Sequence, residues 1–168
     1  MKNRIIATFI VLIFALASVN ASSADVQTVE FPNITVFDKD GNVVNLTDFR
    51  GKPVVLNFWA SWCGPCKNEM PAFDEVYKEV GNDVYFVMVN MADGKRETVE
   101  SGAAYVEKMG YSFPVYYDTA QNAAYTLGIS SIPMTIFLDA KGHGVTYYIG
   151  ALNKDALLYG IDVVTNHK

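Results

Sequence analysis

Val54-Val55-Leu56-Asn57-Phe58-Trp59-Ala60-Ser61-Trp62-Cys63-Gly64-Pro65-Cys66-Lys67 passes from a nearly continuous apolar run straight into a cysteine pair. Residues 54–60 have the composition of a central strand buried on both faces. Helix formers follow over 63–80, with Met70, Phe73, Val76, Tyr77 and Val80 at helical spacing, and Gly81-Asn82-Asp83 ends the helix. This order puts Cys63 where a strand ends and a helix begins. Unpaired N–H groups and the helix dipole favour a thiolate at such a point. Pro65 suits the first helical turn, where its missing N–H costs nothing.

Elements alternate on both sides of this segment. Val84 to Met91 is a second buried-strand candidate, and Asp93-Gly94-Lys95 a turn. Residues 97–109 form an amphipathic pattern ended by Gly110, 115–117 a short strand, and 120–127 a short helix closed by Gly128. Met134 to Leu138 and Val145 to Ile149 are strands about an Ala140-Lys141-Gly142 turn, and 153–164 is the last helix. Upstream, 31–46 alternate apolar and polar around Asp38-Lys39-Asp40-Gly41, two strands and a turn. Residues 46–53 are a connector and 25–30 a polar lead-in. Strands alternating with helices, then a hairpin and a helix, predict an α/β fold with a mixed sheet.

The length of 168 residues suits one domain. Lys2 and Arg4, an uncharged apolar run from Ile5 to Val19 and small residues to Ala24 read as a signal peptide over 1–24, with 25–168 as the domain. The alternative is an uncleaved N-terminal anchor, although the run is short of the roughly 20 apolar residues a spanning helix needs. The formal net charge of −5 becomes −7 once Lys2 and Arg4 are removed. An acidic chain without a basic block argues against nucleic acid as a partner.

The chain has two cysteines, separated by two residues. A bridge between them closes a tiny loop and constrains the unfolded chain little, so the pair points to reactivity rather than stability. A zinc site would need two more ligands. His143 and His167 are the histidines present, far from the usual spacing, so no metal is expected. Disulfide exchange needs a thiolate attacker and a second thiol to release the product. Cys63 suits the first role, and Cys66, one turn deeper, the second.

Phe58-Trp59-Ala60-Ser61-Trp62-Cys63-Gly64-Pro65-Cys66-Lys67 resembles the active-site segment of the thioredoxin superfamily. The signal segment, the N-terminal hairpin, Asn57 and Glu69-Met70-Pro71 resemble the exported TlpA/ResA-type branch, over roughly residues 31–164. The resemblance implies a thioredoxin-like fold: a mixed central sheet flanked by helices, an N-terminal β-hairpin and a central helix–strand insertion over 97–117. It implies an extracytoplasmic thiol–disulfide oxidoreductase with Cys63 and Cys66 as the redox disulfide and no cofactor. Gly64-Pro65 is the dipeptide of reducing thioredoxins, which favours reduction of protein disulfides. Clients in that branch include apocytochrome c, and other members serve methionine sulfoxide reductases. A membrane thiol-electron transporter is the implied reductant.

Ile132-Pro133 resembles the family's second landmark, a cis proline facing the cysteines, with the Ile132 backbone set to pair with a substrate strand. Trp62 would shield the pair and offer an apolar contact to a partner. Glu69 shares a helix face with Cys66. The resemblance makes it the residue that tunes the cysteines and handles protons, against the plainer reading of a solvated carboxylate. Asn57 stands where cytoplasmic thioredoxins carry a buried aspartate, which strengthens the case for Glu69. His143 reads as a solvated turn residue. The rival functions are a disulfide-forming oxidase, a copper-binding or delivery module, and a thiol peroxidase.

Overall fold

A computed structural model describes residues 29–166. The expected signal segment therefore lies outside the described residues. Eight strands form one sheet in the order β1-β8-β7-β4-β5-β6-β2-β3. They are β1 (Val29–Glu30), β2 (Thr35–Phe37), β3 (Val43–Asn45), β4 (Val54–Trp59), β5 (Tyr85–Asn90), β6 (Val115–Tyr117), β7 (Met134–Leu138) and β8 (His143–Ile149). The helices are α1 (Gly64–Val80), α2 (Val99–Met109), α3 (Asn122–Thr126) and α4 (Lys154–Thr165), with a 3-10 turn at Leu46–Phe49. No helix among the described residues is long and apolar enough to cross a membrane.

Strand β4 is central, parallel to β5 and antiparallel to β7. All six of its residues are buried, and they alternate between two cores. Val55 and Trp59 join Met70, Phe73 and Val76 of α1 and Leu157, Ile161 and Val164 of α4. Val54, Leu56 and Phe58 join Ile34, Val36 and the alanines of α3 on the other face. The unbroken apolar run of β4 is thus the signature of a strand covered twice. Asn57, in phase with Val55 and Trp59, points toward α1 from the middle of the sheet.

The N-terminal hairpin β2–β3 docks on the far edge through β6, where Phe37 pairs with Tyr117. The 97–117 segment supplies α2 and β6 as expected, with Thr98 as N-cap, its hydroxyl accepting the Ser101 N–H. Three local expectations are corrected. The lead-in contains β1, because Val29 and Glu30 pair with Gly144 and His143 of β8. The connector after Asn45 winds into a 3-10 turn, capped by Asp48 accepting the Asn45 N–H. His143 opens β8 and its Nδ1 lies 3.1 Å from Asp139 Oδ2, so it is a paired, half-buried residue rather than a solvated one.

Helix α4 closes on the sheet through Gly160, where a Cβ would overlap the ring of Phe137. Glycine costs about 1 kcal/mol against alanine inside a helix, while overpacking a core costs about 1–3 kcal/mol. Steric overlap with a buried ring outweighs the propensity gain. Gly160→Ala should therefore lower the urea midpoint, by about 1–2 kcal/mol in stability; an unchanged or higher midpoint would show that α4 does not press on Phe137.

Candidate active site

Cys63 and Cys66 are joined as a disulfide. Cys63 is the N-cap of α1, with extended backbone (φ −78°, ψ 112°), and its Sγ accepts the Cys66 N–H at 3.2 Å. The sulfur thus stands where a serine or aspartate oxygen normally caps a helix. Cys66 is fully buried, whereas Cys63 retains 4% exposure. The carbonyl oxygen of Ile132 lies 3.8 Å from Cys63 Sγ, and the Ile132–Pro133 peptide bond is cis. In the bonded form this is a close approach; in the dithiol form the thiol can donate to that carbonyl. Gly64 and Pro65 are exposed, and a Cβ on Gly64 would meet nothing within 4 Å.

Glu69 is 1% exposed, which excludes the solvated reading. Its Oε1 accepts the Asn57 amide at 2.9 Å and its Oε2 the Leu152 N–H at 3.0 Å. The same Asn57 Nδ2 donates to Thr135 Oγ1 at 3.0 Å, and Asn57 and Thr135 are direct cross-strand partners. A polar line therefore runs from β7 through β4 to α1 inside an apolar core. Burial pushes the Glu69 carboxyl up to about 7, and the hydrogen bonds from Leu152 and Asn57 pull weakly the other way. A carboxyl at that value gives and takes protons near neutrality.

A second buried carboxylate has no signature in the sequence. Glu97, 1% exposed, accepts the Ser61 N–H at 2.9 Å and the Asn90 amide at 2.6 Å through Oε1, and the Ser61 hydroxyl at 2.7 Å through Oε2. It ties the segment between β4 and Cys63 to the loop before α2. That loop is wound on Asp93, whose Oδ1 accepts the N–H groups of Lys95, Arg96 and Glu97. No sequence spacing announces this, because the Ser61–Glu97 contact spans 36 residues. Trp62 is 39% exposed, and it carries the Arg96 guanidinium 3.4 Å above its ring. The structure thus gathers Trp62, Cys63, Cys66, Ile132 and Pro133 at one end of β4, with Glu69 on the buried side of α1. His143 lies instead on the β7–β8 hairpin.

The profile of the AhpC/TSA family matches residues 28–146. The chain is 32% identical over 165 residues to the thiol-disulfide oxidoreductase ResA of Bacillus anthracis, covering 93% of this chain and 94% of that protein. Among solved structures, one assigned as a thiol:disulfide interchange protein DsbE from Chlorobium tepidum superposes with a TM-score of 0.72 at 25% identity, over 82% of this chain and 96% of that one. An exposed lipoprotein thioredoxin (Etrx1) of Streptococcus pneumoniae gives 0.68 at 32% identity, over 78% and 98%.

The buried carboxyl has a thermodynamic signature. Glu69 ionises near 4.5 without the fold and near 7 within it. Between those values the folded chain holds the extra proton, so raising pH through this window weakens the fold, by at most about 3 kcal/mol. Urea unfolding of the oxidised protein from pH 5 to 8 should show that decline, and Glu69→Gln should lack its share of it. Parallel pH profiles for the two proteins would mean that Glu69 ionises freely in the folded state.

Proposed function

Since the chain belongs to the AhpC/TSA family and is a thiol–disulfide oxidoreductase of the ResA kind, we propose that it works outside the cytoplasm as a reductase of protein disulfides. Cys63, as thiolate, attacks one sulfur of a client cystine. One client thiolate leaves and a mixed disulfide forms. Cys66 then gives up its proton and attacks Cys63 Sγ. The second client thiolate leaves, the client takes up two protons, and the Cys63–Cys66 bond holds the two electrons' worth of oxidation.

What supports these roles most directly is the pairing of a capping sulfur with a buried proton acceptor. The Cys66 N–H that meets Cys63 Sγ makes a stronger hydrogen bond to a thiolate than to a neutral sulfur. Cys66 is fully buried and has no solvent base at hand. Glu69, on the same helix face and holding its proton to about 7, is the acceptor the second step needs. Asn57 orients that carboxylate rather than competing for the proton. The Ile132 carbonyl beside Cys63 and the indole of Trp62 would receive the client segment.

The N-terminal segment of Lys2, Arg4 and the apolar run supports export, either cleaved or retained as an anchor. A reductase there draws electrons from a membrane thiol-electron transporter. Its clients are proteins with an accessible cystine, with apocytochrome c and methionine sulfoxide reductase as the classes the TlpA/ResA branch serves.

Two measurements test the assignment. Cys66→Ser should hold clients on Cys63 as mixed disulfides that mass spectrometry can identify, and Cys63→Ser should hold far fewer. Equal capture by both variants would reverse or void the two cysteine roles. Equilibration with glutathione should give a potential near the roughly −270 mV of thioredoxin; a value near the roughly −120 mV of strong oxidants would turn the reading into disulfide formation.

A further inference from the structure

We propose that the Asp93–Glu97 loop is a client-recognition element, and that Arg96 on it selects client segments carrying a carboxylate beside their cystine. The inference rests on the reductase reading above and adds a substrate class to it. Its basis is a preorganised, exposed cation packed on Trp62, the residue that precedes Cys63. Arg96 belongs to a loop held at both ends. Asp93 Oδ1 accepts three successive backbone N–H groups, and the Gly94 N–H donates to the Glu97 carbonyl at 2.9 Å. Glu97 then fastens the loop to Ser61, two residues before Cys63.

Arg96 lies flat on Trp62, with its guanidinium carbon 3.4 Å from the ring centroid. This contact uses the face of the guanidinium. Arg96 is exposed, which leaves the N–H groups at the guanidinium edge open to a carboxylate in the fork geometry that suits one. Among the described residues, no carboxylate lies within ion-pair distance of Arg96; the pairs present engage Lys39, Arg50, Lys78, His143 and Lys154. The neighbouring carboxylate of Glu97 is occupied by Ser61 and Asn90. A second cation, Lys67, directly follows Cys66 and stands 5.6 Å from the Tyr105 ring of α2. Arg96 and Lys67 thus set two exposed positive charges near the cysteine pair, while the carboxylates of Asp93 and Glu97 are turned to N–H and O–H donors of the fold. The wider field of an acidic protein is screened within about 8 Å at physiological salt, which leaves contact charges to decide which segment docks.

The test uses pre-reduced full-length protein in single turnover at physiological salt. The probes are two synthetic cystine peptides that differ by Asp against Asn beside the cystine. Each rate is divided by the rate at which dithiothreitol reduces the same peptide, to remove intrinsic differences. The wild-type protein should favour the Asp peptide about two- to five-fold, within the range of an exposed ion pair. Arg96→Gln should bring that ratio to about 1, and Arg96→Glu should invert it. An equal preference in wild type and Arg96→Gln, or no preference in wild type, would overturn the proposal. Failure of the wild-type protein to reduce either peptide would instead count against the reductase reading itself.

Discussion

A sulfur atom caps helix α1, and the chemistry follows from that single contact. Helix N-termini leave N–H groups without partners, and an ordinary cap contributes about 1 kcal/mol. In the proposed mechanism the capping atom is also the reacting atom. When Cys63 is bonded to Cys66, its sulfur is a weak acceptor for the Cys66 N–H. When the bond is cut and the proton leaves, the same N–H meets an anion and the helix dipole adds to the attraction. The helix therefore holds the reduced, ionised form more firmly at its first turn. The double burial of β4 positions the site, since its six buried residues fix where the chain emerges to become that turn.

The polar line through the core works against packing and has to be explained by something else. Asn57, Thr135 and Glu69 are all at or near zero exposure, in positions where branched apolar residues would pack without penalty. Hydrogen bonds from Asn57 and Leu152 satisfy both Glu69 oxygens, yet burial still prevails and keeps the carboxyl near 7. A stable core alone has no need of such a group, and the proposed proton transfer from Cys66, one turn before Glu69 on the same helix, gives it a use.

Much of this was legible in the chain. The apolar run at 54–59, the helical spacing after Cys63 and the Trp62–Cys66 motif each rest on local sequence, and local sequence is what periodicity reads. Helix α1, strands β6 and β7 and the hairpin turn at Asp38–Gly41 follow from it. What escaped was non-local. Val29 and Glu30 become a strand only because residues more than a hundred positions later lie alongside them. His143 reads as turn from its glycine neighbours, but Asp139 and β1 draw it into β8. Glu69 could be placed on the face of Cys66, whereas its near-complete burial depends on Leu152, which arrives from the other end of the chain. Glu97 gave no signal for the same reason.

Residue 64 has an unusual freedom. It stands between the two sulfurs, faces outward, and has open space where a side chain would extend. Nothing in the packing demands glycine there. The fold therefore leaves one position beside the reactive bond open to chemical variation at little structural cost. Rewriting that single codon would change the surface that a docking molecule meets beside the bond, while the scaffold that presents the bond stays as it is.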